Sequence, residues 1–190
     1  MEVDARGFPL LEEPLRMSLE DWLAWDFEGK SEWVDGEVIV SPPPNFDHGA
    51  AQARFCSIFW AVGLKTAVEV DMFTRDSAAS TRIRRPDVCV YDHVPEGHPT
   101  HETPLVAIEV LSFSNRGEDL VRKSGEYAAW GVGQCWIVDP AATTLDVHEN
   151  VGGAWERILQ LTDGVRTGSV MVGEHGPVEI DLTFLLDLDD

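Results

Sequence analysis

The chain has 190 residues, of which 44% are hydrophobic, and it carries 14 basic against 34 acidic side chains, a formal net charge of −20. This size and apolar content predict one globular domain spanning 1–190 and exclude an intrinsically disordered class. No apolar run approaches the roughly 20 residues that cross a bilayer, and no signal-peptide pattern opens the chain, so the sequence predicts a cytoplasmic protein with no membrane partner. The net charge disfavours holding nucleic acid by bulk electrostatics, because backbone affinity depends on neutralising phosphates.

The N-terminal part is predicted to contain an arm, a short helix and a hairpin. Residues 1–17 lack a clear period and predict an extended arm. Ser18 is a good N-cap, and the apolar residues behind it predict a helix that stops near Gly29. Within 31–40, Asp35-Gly36 lies between apolar strand formers, which is a strong signal for a two-residue hairpin turn.

A longer helix and two strands follow. Asp47 can cap a helix that runs to about Leu64, because apolar residues repeat there every three to four positions. Strands are then predicted at 66–73 and 81–84 from their apolar and β-branched residues.

Cysteine and histidine spacing argues against a zinc site. Cys56, Cys89 and Cys135 are far apart in apolar segments and match neither a disulfide framework nor a zinc motif. They are predicted to be reduced core residues. Three histidines fall in the loop at 92–103, but their irregular spacing predicts a solvated surface loop in preference to a metal site.

Two acidic residues stand on apolar strands. Asp87 opens strand 87–91, and Glu109 lies inside 105–111, where apolar residues fall on both faces. An ionised carboxylate there is costly unless a cation or hydrogen bonds compensate it. Glu109 could pair with a core arginine or lie at a solvated sheet end, but two acids on neighbouring strands followed by Lys123 favour a metal site.

A helix and a strand follow the second acidic strand. Asn115 with Glu118 forms a capping-box pattern that opens a helix to Trp130, and a strand is predicted at 134–138. Strand, helix and strand in this order predict a parallel, right-handed crossover. From Thr144 onward, short alternating strands and a terminal helix are predicted to extend the sheet and to supply a candidate dimer surface.

Four motifs, taken in order, resemble those of one protein family. They are Arg85-Pro86-Asp87, Glu109-Val110-Leu111-Ser112, the helix positions Asp119, Lys123 and Tyr127, and Gln134-Cys135-Trp136-Ile137-Val138-Asp139-Pro140. The chain thereby resembles the Uma-two family of bacterial restriction-endonuclease-like proteins, a branch of the PD-(D/E)xK nuclease superfamily. The resemblance implies an α/β fold with a restriction-endonuclease-like mixed central sheet flanked by helices, a core at about 18–147 and extra antiparallel strands at 144–190.

The resemblance also implies a catalytic site. Asp87 and Glu109 would bind Mg²⁺ or Mn²⁺, and Lys123 would complete the catalytic set. The superfamily usually places its lysine two residues after the acid, where this chain has Leu111, so the lysine would reach the site from the following helix. Lys123 could instead be a solvated helix residue paired with Asp119, one turn away.

Three further residues are candidate accessory members of the site by the same resemblance. Glu32 could supply a third metal oxygen or a water contact, or be a solvated acid at a strand end. His48 falls where the family often has a histidine, or is simply a residue of a first helical turn. Tyr127 is placed to orient Lys123.

The expected function is that of a metal-dependent endonuclease acting on DNA in preference to RNA. The charge of residues 75–123 supports it, because seven basic side chains there nearly balance eight acidic ones. Since removing one carboxylate would relieve repulsion, loss of either acid should abolish activity while the fold stays intact. The alternative is a catalytically inactive nuclease fold that serves as a binding or assembly module, favoured by the net charge and by Leu111 at the usual lysine position.

A homodimer is expected, because a duplex cut on both strands needs two sites and closed two-fold dimers are the commonest soluble oligomers. Apolar side chains of the arm and of the tail strands around Trp155 and Ile158 would supply the contact. Salt should tighten it by screening the acidic repulsion.

Overall fold

The computed structural model describes residues 14–77, 80–112 and 118–187. The elements within these ranges are α1 Leu19–Leu23, β1 Lys30–Val34, β2 Glu37–Ser41, α2 Phe46–Ala61, β3 Lys65–Val68, β4 Met72–Ser77, β5 Ser80–Arg84, β6 Val88–Tyr91, β7 Val106–Val110, α3 Glu118–Ala129, β8 Gln134–Asp139, β9 Thr144–Val151, β10 Ala154–Leu161, β11 Thr167–Met171, β12 Pro177–Asp181 and α4 Leu182–Leu186. Among these helices, none is long and apolar enough to cross a membrane.

The strands of the described residues form three sheets. The central sheet has the order β10-β9-β8-β7-β6-β3, a smaller sheet has the order β2-β1-β5-β4, and β11 pairs with β12. Strands β7 and β8 run parallel, with Glu109 opposite Ile137, whereas β6 and β7 are antiparallel. The predicted parallel crossover is confirmed, because α3 connects β7 to β8.

The middle of the central sheet is buried on both faces. Every residue of β6 and β7 is buried, as predicted for the Glu109 strand. On one face, α2 packs Phe55 and Phe59 against Trp136, with ring centroids 6.3 and 5.1 Å apart, and each buried ring of this kind stabilises the fold by roughly 1.5–3 kcal/mol. A second buried cluster contains Met72, Cys89, Tyr91, Ala107, Tyr127, Val132 and Cys135.

The smaller sheet packs against α1, where Trp22 lies in one cluster with Trp33 and Ile83. Its β1–β2 hairpin turns at Asp35 and Gly36, whose φ angles are 49° and 90°. Positive φ at both central residues is what a type I′ turn requires, and glycine adopts it without steric cost. The predicted hairpin is confirmed.

Helix α1 is shorter than predicted. It begins after the Ser18 cap as expected, but it ends at Leu23 rather than near Gly29. Beyond that point Trp25 and Phe27 stack on each other with ring centroids 4.5 Å apart. Side chains two residues apart point to different sides of a helix, so this stack requires the chain to have left the helix.

Helix α2 has a different cap from the one predicted. Asn45, not Asp47, is the N-cap, and its side chain accepts the backbone N–H of His48 at 2.9 Å. An N-cap side chain satisfies the N–H three residues ahead, which Asn45 reaches from its extended backbone. The helix ends at Ala61, a few residues early, and Gly63 follows with a φ of 86°.

The prediction of one strand at 66–73 is wrong. Strand β3 ends before Glu69, whose φ of 53° is left-handed, and β4 then begins at Met72 in the smaller sheet. A left-handed residue does not continue a strand. Between the two strands, the buried Asp71 accepts two hydrogen bonds from Arg85, at 2.6 and 2.9 Å. These bonds hold in place the segment that connects the two sheets.

The tail follows the prediction in part. Strands β9 and β10 extend the central sheet, but among the described strands β11 and β12 pair only with each other, and α4 contacts α2. All three cysteines are buried and free, as predicted. Residues 1–13 of the arm and the predicted cap at Asn115 lie outside the described residues.

Candidate active site

Asp87 comes directly before β6, which starts one residue later than the predicted strand, and lies at the same level as Glu109 on the neighbouring strand β7. In the β6–β7 register Val88 faces Ile108, so one further step places Asp87 opposite Glu109. The Oδ2 atom of Asp87 accepts the backbone N–H of Val110 at 2.8 Å. Both carboxyl side chains are buried, and two neighbouring carboxylates removed from water raise each other's cost of ionisation.

Lys30 and His48 contact one oxygen of Asp87. The Nζ atom of Lys30 lies 2.6 Å from Oδ1, and Nε2 of His48 lies 3.4 Å from the same atom. Burial opposes ionisation, but the hydrogen bond from His48 and the charge of Lys30 outweigh it and lower the pKa of Asp87 to about 2. Asp87 is therefore charged at neutral pH.

Sequence reasoning missed Lys30. The chain has only three lysines, Lys30, Lys65 and Lys123, and a lysine is almost never fully buried without a partner. Lys30 and Lys123 both have side chains less than a tenth exposed. The available signal was its position two residues before Glu32, which places both side chains on one face of β1.

Glu109 is held by the hydroxyl of Tyr127, which donates to Oε1 at 2.7 Å. Burial raises the pKa of Glu109 to about 7; the positive charge of Lys123 opposes this rise, and the negative charge of Asp87 adds to it. The contact differs from the expectation for Tyr127, whose hydroxyl binds the acid rather than orienting the lysine. Glu109 can thus gain or lose a proton near neutral pH.

Glu32 lies in a second buried ion-pair network. Its Oε2 accepts a hydrogen bond from Arg84 at 3.0 Å. Its Oε1 lies 3.1 Å from Nζ of Lys123 and accepts the backbone N–H of Arg85 at 2.9 Å. Arg84 also donates to both oxygens of Glu126, at 2.6 and 3.0 Å. The alternative of a solvated strand-end acid is wrong, because Glu32 is completely buried.

Lys123 enters the same region from α3. Its side chain is buried, so the alternative of a solvated helix lysine is wrong. The positive charge of Lys123 acts on Glu109 as well as on Glu32. The side chain of Asp119, the partner considered in that alternative, lies outside the described part of the chain.

All six residues singled out by the sequence and the resemblance therefore converge. They are Glu32, His48, Asp87, Glu109, Lys123 and Tyr127. The histidine loop does not join them, because His93 is exposed and contacts the acids Asp92 and Glu102 at the surface. The surface-loop prediction is confirmed for that histidine.

The donor chemistry of the two acids fits a hard divalent cation. Within the described ranges, no group of three or more His, Cys, Asp and Glu side chains is arranged to hold a metal. Mg²⁺ usually takes only one or two carboxylates from the protein and keeps several waters. Asp87 and Glu109 supply that number of carboxylates, and a cation between them would offset the repulsion that burial amplifies.

The raised pKa of Glu109 predicts a pH-dependent stability. Between its ordinary pKa and about 7, the folded state keeps a proton that the unfolded state releases, so the contribution of Glu109 to stability is lost as pH rises through this window. Glu109→Gln stays neutral, and its amide oxygen can still accept the hydrogen bond from Tyr127. The melting temperature of this variant minus that of the parent should therefore increase by roughly 5 °C from pH 5 to pH 8. Thermal unfolding in EDTA at both pH values measures this difference.

The matched control is Glu156→Gln on the exposed side of β10. Its melting temperature should differ from that of the parent by the same amount at pH 5 and at pH 8. A difference between Glu109→Gln and the parent that stays constant from pH 5 to pH 8 would contradict the assignment of a neutral, protonated Glu109.

Comparisons with known proteins bear on the fold and the family. Residues 19–176 match the family model described as "Uma2: Putative restriction endonuclease". The chain is also similar to the crystal structure of "a putative nuclease belonging to DUF820" from Anabaena variabilis, with 18% identity and a TM-score of 0.69 over 90% of this chain and 98% of that one. At this identity the likeness shows the fold only, and it confirms the predicted α/β class. No curated protein matches the chain.

Proposed function

The chain belongs to the Uma2 family and has its restriction-endonuclease-like fold, and on that premise we propose that it is a divalent-metal-dependent nuclease hydrolysing phosphodiester bonds of DNA. The observation that carries this proposal is the pair of buried carboxylates, Asp87 directly before β6 and Glu109 at the same level of β7, with Lys30 and Lys123 around them, whose side chains are less than a tenth exposed. Buried titratable groups that perturb one another cluster at catalytic sites more often than in ordinary cores.

Asp87 and Glu109 would hold Mg²⁺ or Mn²⁺ through their oxygens. When bound, the ion would supply Lewis-acid chemistry, activating water and offsetting negative charge on a phosphate. Tyr127 fixes the orientation of Glu109 by its hydrogen bond. Val110 does the same for Asp87 through its backbone N–H. These two hydrogen bonds thus preorganise the acids.

Lys123 is the proposed electrostatic catalyst. Its ammonium would donate hydrogen bonds to the attacking water or the phosphate, where charge develops in the transition state. Glu32 holds the ammonium in place at 3.1 Å, and Arg84 holds Glu32 from the other side at 3.0 Å. We therefore assign Glu32 to positioning the lysine, since both its oxygens already accept from cationic or backbone donors.

A cleavage screen tests the proposal. Plasmid, linear duplex, branched and single-stranded DNA, with an RNA counterpart of each linear form, are incubated with Mg²⁺, with Mn²⁺ and with EDTA. We expect metal-dependent cleavage of at least one DNA substrate and none in EDTA. Cleavage of RNA alone would correct the substrate class, and the absence of cleavage from every substrate would refute the proposal.

A non-catalytic module is the second candidate, and two observations favour it. The net charge is −20, and Lys30 already balances Asp87 in the structure. Calorimetric titration with Mn²⁺ separates the two candidates. A nuclease should bind the ion in a manner abolished by Asp87→Asn, whereas a scaffold should show no binding that depends on Asp87.

The oligomeric state is a separate prediction. Of the tail residues expected at a dimer contact, Trp155 is half-buried and donates to the backbone of Ser124 on α3, whereas Ile158 is exposed. We expect a homodimer held by Ile158 and the arm that precedes Met17. Sedimentation of the full chain should show a dimer that tightens with salt, and a chain starting at Met17 should sediment as a monomer. A full-length monomer at micromolar concentration would contradict this.

A further inference from the structure

Lys30 is a buried charge that the proposed mechanism does not use. Its Nζ lies 2.6 Å from Oδ1 of Asp87, and its side chain is 9% exposed. The ammonium therefore sits where a metal ligated by Asp87 would have to approach the same oxygen.

The cations and acids around the site are paired with one another. Arg84 contacts both Glu32 and Glu126, Arg82 contacts Glu126, and Lys123 contacts Glu32. Lys30 is the cation in contact with Asp87. A divalent ion added beside an unmoved Lys30 would give the two acids three positive charges, and like charges at close range in a poorly solvated site repel strongly.

Lys30 is hydrogen-bonded to the carboxylate of Asp87, whereas Arg84 is hydrogen-bonded to two acids. Lys30 is the first residue of β1, at the open end of the hairpin, where it pairs with Ser41. Its side chain is a flexible four-carbon stem, so the ammonium can leave Asp87 without a change in the strand. Arg84 is held by both oxygens of Glu126 and by Glu32.

We propose that Lys30 is an exchangeable counter-cation, which occupies Asp87 in the metal-free protein and is displaced from it when a divalent cation binds. This inference rests on the metal-binding part of the proposed function. It makes Lys30 a positioning residue that sets the affinity and selectivity of the site for cations, since any metal must compete with an ammonium already in place.

A binding titration tests the competition. Mn²⁺ is titrated, with free ion followed by electron paramagnetic resonance, into the parent chain, Lys30→Met and the control Lys65→Met on the exposed edge strand β3. Loss of one nearby positive charge should tighten Mn²⁺ binding roughly tenfold or more in Lys30→Met and leave Lys65→Met unchanged. Equal or weaker binding by a folded Lys30→Met would overturn the proposal.

The unaltered protein provides a second readout that does not depend on the variant folding. Because the chain has three lysines, mass spectrometry resolves the acylation rate of each one. Adding Mg²⁺ should raise the rate at Lys30 several-fold relative to Lys65, as the ammonium leaves its buried pair. An unchanged ratio at saturating Mg²⁺ would overturn the proposal whatever the variant does.

The outcomes separate this inference from the nuclease proposal. Tighter Mn²⁺ binding by Lys30→Met with no DNA cleavage by any form supports the counter-cation and refutes the nuclease. DNA cleavage by the parent, with equal Mn²⁺ affinity in the parent and in Lys30→Met, supports the nuclease and refutes the counter-cation. Absence of Mn²⁺ binding from both chains refutes the counter-cation together with the metal-dependent mechanism.

Discussion

Asp87→Asn is expected to lower metal-dependent cleavage by on the order of 10³-fold or more, since it removes the charge of a proposed ligand of the cation, which would supply Lewis-acid chemistry. Asparagine has the same shape and its carbonyl oxygen can still accept from Val110. The loss would therefore report the charge of Asp87 rather than its packing. Initial rates on the best substrate of the cleavage screen, at saturating Mg²⁺, measure it.

The contact between Lys30 and Asp87 changes the effect on stability that we expect from Asp87→Asn. The sequence predicts that loss of either acid leaves the fold intact, and we keep this prediction for Glu109. For Asp87 the contact with Lys30 at 2.6 Å means that asparagine leaves a buried ammonium without its counter-charge, which is destabilising. We expect Asp87→Asn to lower the melting temperature and the double variant Asp87→Asn with Lys30→Met to recover most of it.

The double variant is also the decisive activity control. It should be stable and inactive, which distinguishes the loss of a ligand from the loss of the fold. Glu156→Gln on the exposed face of β10 should retain full activity. A double variant that cleaves at the parental rate would remove Asp87 from the catalytic set.

Arg84→Met is expected to destabilise the protein by about 3–5 kcal/mol, because breaking a buried ion pair leaves an uncompensated charge. Arg84 has no exposed surface, and its loss would remove a cationic partner from Glu32, which is equally buried, and from Glu126. Burial works against the charged guanidinium, but the bonds to Glu126 and the charge of Glu32 still raise the pKa of Arg84. Urea unfolding at pH 7 measures the change in free energy.

The matched control is Arg157→Met. Arg157 pairs with Asp146 at 3.1 Å on the surface of the central sheet, with more than half of its side chain exposed, and such pairs are worth about 1 kcal/mol or less. Arg84→Lys should recover only part of the loss, since an ammonium cannot donate to both oxygens of Glu126 in the planar geometry of a guanidinium. If Arg84→Met lowers the free energy of unfolding no more than Arg157→Met does, the buried ion-pair network does not stabilise the fold.

Local patterns were sufficient for much of the architecture. The Asp35-Gly36 turn, the apolar run around Glu109 and the strand-helix-strand order each depend on residues close in sequence, and the structure confirms all three. The same patterns placed Asp87 and Glu109 on adjacent strands. Identifying the family required the four motifs in order, which is a property of the chain and not of any one contact.

The tertiary structure alone decided how the charges are partnered. Lys30 is 57 positions from Asp87, and Arg84 is 42 positions from Glu126, so no local periodicity relates them. It also decided that the chain changes sheets at Glu69, where a left-handed residue interrupts what composition predicts as one strand. The physical reason is common to both: alternation and propensity act between near neighbours, whereas the partner of a buried charge is whichever group the packed elements bring within about 3 Å.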